Sequence, residues 1–120
     1  MIPSFLLKKL YVPGSFKNTT NGFQLSLRNT LAPGTILSLS PLHIDGRPVP
    51  LENIEIITGD NAAVRASAIS PAQPKAFPLN VVVTFRVIDQ PLTPGRHRVT
   101  VSVNTKEAGE LNIDAEDSIE

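Results

Sequence analysis

The stretch PLNVVVTFRVID, residues 78–89, narrows what this chain can fold into more than any other. Leu79, Val81, Val83, Phe85 and Val87 fall on one parity, and Val82, Thr84, Arg86 and Ile88 on the other. Residues two apart share a face of a strand, so this segment reads as a strand with one apolar face and one mixed face. The alternation recurs elsewhere. In FQLSLRNTL it sets Phe23, Leu25, Leu27 and Leu31 against Gln24, Ser26, Arg28 and Thr30. RHRVTVSVN places Val99, Val101 and Val103 inward, and GELNIDAED places Leu111, Ile113 and Ala115 inward. No segment after residue 12 carries a helical period.

Turn chemistry divides these runs. Asn21-Gly22 predicts a hairpin between a strand over Val12–Asn18, with Phe16 inward, and the strand that begins at Phe23. Ala32-Pro33-Gly34 is a turn before TILSLSPLHID. There Leu37 and Leu39 are apolar on odd positions and Leu42 and Ile44 on even ones, so the phase flips across Ser40-Pro41, which predicts a bulge or break. Asp45-Gly46 is a second hairpin signal. NIEIITG and AAVRASAI are weaker strands, and SPAQPKAFP, with three prolines in nine residues, is an extended loop or edge. The chain has 11 prolines and 7 glycines in 120 residues, which suits short strands joined by turns. Near the N-terminus, Leu6/Leu10 and Leu7/Tyr11 are i,i+4 pairs, consistent with a short helix or an edge strand.

These elements form one all-β domain over residues 1–120 with seven to nine short antiparallel strands. The phrase LTPGRHRVTV, followed by a turn and an alternating final strand, resembles the last two strands of immunoglobulin-like sandwiches. In those folds an aromatic residue at the position of His97 makes a corner hydrogen bond. The resemblance covers about the last 45 residues and implies an immunoglobulin-like β-sandwich, not a chemistry. A small β-barrel is the alternative.

Composition excludes several function classes. With no cysteine, the chain cannot use a disulfide scaffold, a thiolate zinc site or a Cys nucleophile. The N-terminal apolar run is only three residues long before Lys8 and Lys9, unlike a signal peptide, and no run suits a transmembrane helix. A soluble cytoplasmic protein without a membrane partner is expected. Net charge is zero, which argues against a dedicated nucleic-acid binder. The charge is unevenly placed. Lys8, Lys9, Lys17 and Arg28 precede any acid, whereas residues 106–120 carry Lys106 against Glu107, Glu110, Asp114, Glu116, Asp117 and Glu120. Attraction between the two ends of the chain, within one fold or between copies, is the simplest consequence.

Few residues stand out chemically. His43 and Asp45 lie two apart in PLHIDGRPVP, and a dyad or metal pair competes there with a hairpin tip, in which His43 faces solvent. The hairpin tip is favoured. His97 shares the parity of Val99, Val101 and Val103, so it points inward. It is expected to donate to a loop carbonyl in the corner role, with a general base or ligand as the alternative. Arg86, Arg96 and Arg98 would share an outer face if the two long strands paired as a hairpin, and with Arg65 they could form an anion site. The competing reading pairs Arg98 with Asp114 or Glu116 across the sheet. Asp60-Asn61 is a turn without the spaced carboxylates of a calcium loop. Asn18-Thr19-Thr20 matches a glycosylation acceptor pattern that has no meaning without secretion. No cofactor or metal signature is present.

Val82 and Ile88 on the outer parity suggest a second covered face, with the cover either the N-terminal segment that carries Phe5, Leu6 and Leu7 or a second subunit. The favoured expectation is therefore a non-catalytic interaction domain, self-associating as a homodimer or binding another protein. The alternatives are a small-anion carrier using Arg86, Arg96 and Arg98, and an enzyme using His43 or His97.

Overall fold

The computed structural model describes residues 2–58 and 62–120. The Asp60-Asn61 turn lies outside the described residues. Eleven strands are present among the described residues, more than expected, because five of them are only three residues long.

The first sheet contains β1 (Lys17–Thr19), β2 (Gly22–Arg28), β6 (Ile54–Ile57), β7 (Ala63–Arg65) and β9 (Val82–Ile88). Its order is β1-β2-β9-β6-β7, and every pairing is antiparallel. The second sheet contains β3 (Gly34–Leu39), β4 (Leu42–Ile44), β5 (Arg47–Val49), β8 (Lys75–Phe77), β10 (Gly95–Thr105) and β11 (Gly109–Ile119). β10 is its spine. It pairs with β11 along its whole length and with β3 and then β4 on its other edge. The two sheets close a β-sandwich on one core. Phe23, Leu25, Val83, Phe85, Val87 and Ile56 come from one side, and Ile44, Val99, Val101, Val103 and Ile113 from the other.

The N-terminal segment forms a five-residue helix, α1 (Ser4–Lys8), packed on β11. It is not an edge strand. The chain then runs along β2, with Val12 N–H donating to the Ser26 carbonyl at 3.1 Å, so the strand expected over 12–18 shrinks to β1. Phe16 is buried as expected.

Several local expectations shift by one residue for physical reasons. The β1–β2 loop is Thr20-Asn21, because Thr19 pairs with Gly22. Gly22 is needed inside the strand, where a Cβ would lie 2.0 Å from the Val87 carbonyl oxygen. Leu37 does not share the inner face with Leu39. It sits at a bulge, since Ile36 and Ser38 face the adjacent residues Thr105 and Asn104 of β10. The flip at Ser40-Pro41 is present as a second irregularity: Leu39 opposes Val103 and Ile44 opposes Val99, so β10 spans the gap with one residue fewer. Leu79 is not inward. It is exposed, and β9 begins only at Val82. Ala115 is half-buried.

Candidate functional site

The β4–β5 turn is built by Asp45 at φ 53° and Gly46 at φ 84°, the left-handed pair that a two-residue hairpin requires. This turn carries the Asp45 carboxylate across the sheet to β10. Oδ1 accepts the Arg98 backbone N–H at 2.8 Å, and Oδ2 lies 2.6 Å from Nδ1 of His97. His97 Nε2 lies 2.8 Å from the Thr93 carbonyl oxygen. The corner role expected for His97 is therefore filled. The His–Asp pair of this chain joins residues 45 and 97, not 43 and 45.

His97 is 9% exposed, and its ring meets the edge of Phe16 at 5.9 Å, which in turn meets Phe23 at 6.0 Å. The Thr93 carbonyl, then Asp45, raise the His97 pKa above its ordinary 6.5 against the opposing effect of burial. The Arg98 N–H, then His97, hold Asp45 below its ordinary 3.8.

On β11, opposite His97, Asp117 accepts the Tyr11 hydroxyl at 2.9 Å and the Gly14 N–H at 3.0 Å. Burial and this carboxylate push the Tyr11 pKa well up. Burial opposes ionisation of Asp117, but the N–H of Ser118 and the Tyr11 hydroxyl outweigh it and hold that carboxyl low.

The three arginines do not meet. Arg86 stands on β9 of the first sheet, while Arg96 and Arg98 stand on β10 of the second. The long strands β9 and β10 do not pair, so the hairpin that would have joined the three is absent. Arg96 Nε donates to Glu116 at 2.6 Å, and Arg98 Nε donates to Asp114 at 3.0 Å with its Nη2 on the second oxygen. Both pairs line an open groove of about 560 Å³ with Lys8, Tyr11 and Asp117. Three cations and three carboxylates make this groove charge-balanced, which does not suit a polyanion.

The outer face of the first sheet differs. Lys17, Gln24, Arg86, Glu55 and Arg65 form one cross-strand row. Arg28 extends from the same face, two rungs of the β2–β9 ladder away from Ser26–Thr84 and level with Val82. Arg65 donates to the Glu52 carbonyl at 2.9 Å. Lys17, Arg28 and Arg86 have no ion pair among the described residues. A concavity of about 360 Å³ lies around Arg86, Glu55, Gln24 and Ile88.

The apolar residues expected to form one self-association surface are dispersed. Leu7 is in the core, Leu6 is half-buried, and Phe5 is exposed on α1. Val82 and Ile88 occupy opposite ends of β9, with Thr84 and Arg86 between them. Among the described residues no cluster of three His, Asp or Glu could hold a metal ion, and no helix is long and apolar enough to cross a membrane.

Comparison with models of protein families matches residues 6–120 to the hydroxymethylglutaryl-CoA reductase N-terminal domain. The chain belongs to that family. No curated protein matches it. The match spans both sheets and the His97 corner. It overturns the expectation of a non-catalytic, self-associating domain, because this family is part of an enzyme.

Among the pairings that sequence reasoning missed are Asp45 with His97, Tyr11 with Asp117, and Glu107 with the Thr35 N–H at 2.8 Å. Each joins residues more than 50 apart. The one signal within reach was Asp45-Gly46. A carboxylate at a left-handed turn position is able to reach backbone N–H groups nearby.

Proposed function

We propose that this chain serves a hydroxymethylglutaryl-CoA reductase as a β-sandwich domain on which the reducing unit is seated, with the outer face of the first sheet as the contact surface. The observation that carries this reading is the family match over residues 6–120. The strand arrangement supports a scaffold. β2-β9-β6 faces β11-β10-β3/β4, an order that agrees with an immunoglobulin-like sandwich.

The charge distribution selects the face. On the second sheet the arginines are occupied by their own carboxylates. On the first, neighbouring strands lie about 4.8 Å apart, so the row from Lys17 to Arg65 spans about 19 Å. It offers Lys17 and Arg86, with Arg28 four residues beyond Gln24 along β2, against Glu55 alone. Cations with no ion pair among the described residues fit an acidic protein surface, because complementary charge orients and accelerates encounter. The implied chemistry is reduction of a CoA thioester, which releases the free thiol.

The test isolates the tagged chain from its native host at low ionic strength. The retained material is assayed for hydroxymethylglutaryl-CoA-dependent release of thiol with a reduced nicotinamide as hydride donor. Retained activity that washes off in high salt is the expected result. The combined variant Lys17→Glu, Arg28→Glu and Arg86→Glu is expected to lose at least tenfold of it. No activity at any salt concentration would overturn the reductase reading. Full retention by the variant would overturn only the choice of face.

A further inference from the structure

We infer that His97 is a proton-dependent latch: its imidazolium ties the β4–β5 turn and the β9–β10 connection to the spine strand, and loss of one proton releases the β9–β10 connection at Thr93. The inference does not depend on the docking face proposed above.

It starts from valence. Nε2 faces a backbone carbonyl oxygen at 2.8 Å, which can only accept. Nδ1 faces a carboxylate oxygen at 2.6 Å, which also only accepts when ionised. A neutral imidazole has one N–H and one lone pair, so it can satisfy only one of these contacts and turns a lone pair towards the other oxygen. Only the imidazolium, with two N–H groups, fits both. A tyrosine in this corner would donate one hydrogen bond and keep it throughout the physiological range. The histidine makes the corner titratable.

The charged groups around the ring agree with this. From the β4–β5 turn come Asp45 and, beyond it, Arg47, which is paired with Asp89 at 3.3 Å. From β11 comes Asp117, already engaged by Tyr11 and Gly14. Phe16, from the segment before β1, contributes only an aromatic edge. On β10 itself, Arg96 and Arg98 alternate to the opposite face and are held there by Glu116 and Asp114. Among the described residues Asp45 is the one charge in direct contact with the ring, and it favours the cation.

Which bond yields follows from strength. A hydrogen bond between charged groups is roughly twice as strong as one between neutral groups. The last proton therefore stays on Nδ1, facing Asp45, and Nε2 gives up its proton to solvent. The Thr93 carbonyl is then freed. The loosening is local, because Asn18 still brackets Leu92, with Nδ2 donating to its carbonyl and Oδ1 accepting its N–H, both at 2.9 Å.

The sign follows from the raised His97 pKa. The latch contributes stability in full below the unfolded-state pKa near 6.5 and loses it as pH rises through the higher folded-state pKa. Asp45 closes the acid side, since its contribution is lost as pH falls through its depressed pKa.

The experiment is an NMR titration of the labelled, intact chain. It follows the His97 imidazole nitrogens and the Thr93 carbonyl carbon, with the His43→Gln variant assigning the second ring. The expected result is a His97 midpoint above that of the same residue in the urea-unfolded chain. The Thr93 carbonyl should shift with that same midpoint, and the Nδ1 proton should persist above it. In Asp45→Asn the midpoint should move down towards the unfolded value. A His97→Tyr variant should stay folded with a Thr93 carbonyl that is flat from pH 6 to 9. A folded-state midpoint at or below the unfolded one would overturn the latch. So would a Thr93 carbonyl that ignores the titration, or one that still moves in His97→Tyr.

Discussion

The outer faces of the two sheets carry the same kind of residue and treat it in opposite ways. Arg96 and Arg98 on the second sheet are each held by a carboxylate of β11, while Arg86 on the first sheet has no ion pair among the described residues. The difference is one of register. β10 and β11 run side by side for eleven residues, so acids on alternate positions of one strand meet bases on alternate positions of the other. Around Arg86 the neighbours are Gln24 on one side and Glu55 on the other. A sandwich whose two outer faces are electrostatically unlike can present one face to a partner and keep the other neutral.

The largest effect expected on this contrast comes from Gly22. A Cβ there meets the Val87 carbonyl oxygen at 2.0 Å and the Asp89 nitrogen at 2.8 Å, both of them backbone atoms that cannot swing away. Gly22→Ala must therefore push β2 off β9 and distort the first face. Overpacking of this kind costs about 3 kcal/mol, which a urea unfolding curve would resolve. A loss under about 1 kcal/mol would mean that the two strands are not held this close and that the first face is more plastic than described.

Next in size is Asp45→Ala, at the turn end of the second sheet. Alanine at a positive φ costs about 1 kcal/mol. Losing the acceptor for Arg98 N–H and His97 adds about 1 kcal/mol, less than the usual worth of a charged hydrogen bond because the carboxylate is half-exposed. Asp45→Asn keeps the turn and should lose about half as much in the same assay. Equal losses would show that the charge, rather than the backbone geometry, carries the whole effect.

The limits of the sequence reading follow from the same contrast. Alternation identified β2, β9, β10 and β11 and their inward residues, because a period of two is a property of a few neighbouring side chains. The Asp45-Gly46 turn was legible for the same reason. Sheet membership was not. Arg86 and Arg98 are twelve residues apart and even-numbered, yet they stand on opposite sides of the molecule, since the Asp89–Pro94 connection carries the chain from one sheet to the other. Nothing local distinguishes that crossing from a hairpin. The His97–Asp45 contact is hidden for a related reason: it depends on β4 following β3 along one edge of β10, which requires the break at Ser40-Pro41 to have the observed length.

Acid should separate the faces further. Asp45, Asp114, Glu116 and Glu107, all on the second sheet or its turns, are held below their ordinary range. The Arg98 N–H is the main cause for Asp45, the Arg98 and Arg96 guanidinium groups for Asp114 and Glu116, and the Thr35 N–H for Glu107. A group whose folded pKa is depressed stabilises the fold above its unfolded pKa and loses that contribution as pH falls through the folded value. Stability should therefore decline below about pH 4, where unfolded carboxyl groups titrate. Amide exchange should rise first along β10 and β11 while β2 and β9 stay protected. Simultaneous loss from both sheets would erase the distinction.

The smallest effect is the most direct probe of the contrast itself. In a double-mutant cycle, Arg98→Ala and Asp114→Ala should be non-additive, because each removes the partner of the other. Arg86→Ala and Glu55→Ala occupy opposed positions in register but form no ion pair, so their effects on the urea midpoint should add within error. Both cycles are best run at low ionic strength, since pairs this exposed are screened once the Debye length falls to a few ångström. The coupling on the second face should then fade with added salt, and the first face should show none to lose. A measurable coupling between Arg86 and Glu55 would mean that the first face neutralises itself in solution and offers no free positive charge to an acidic partner.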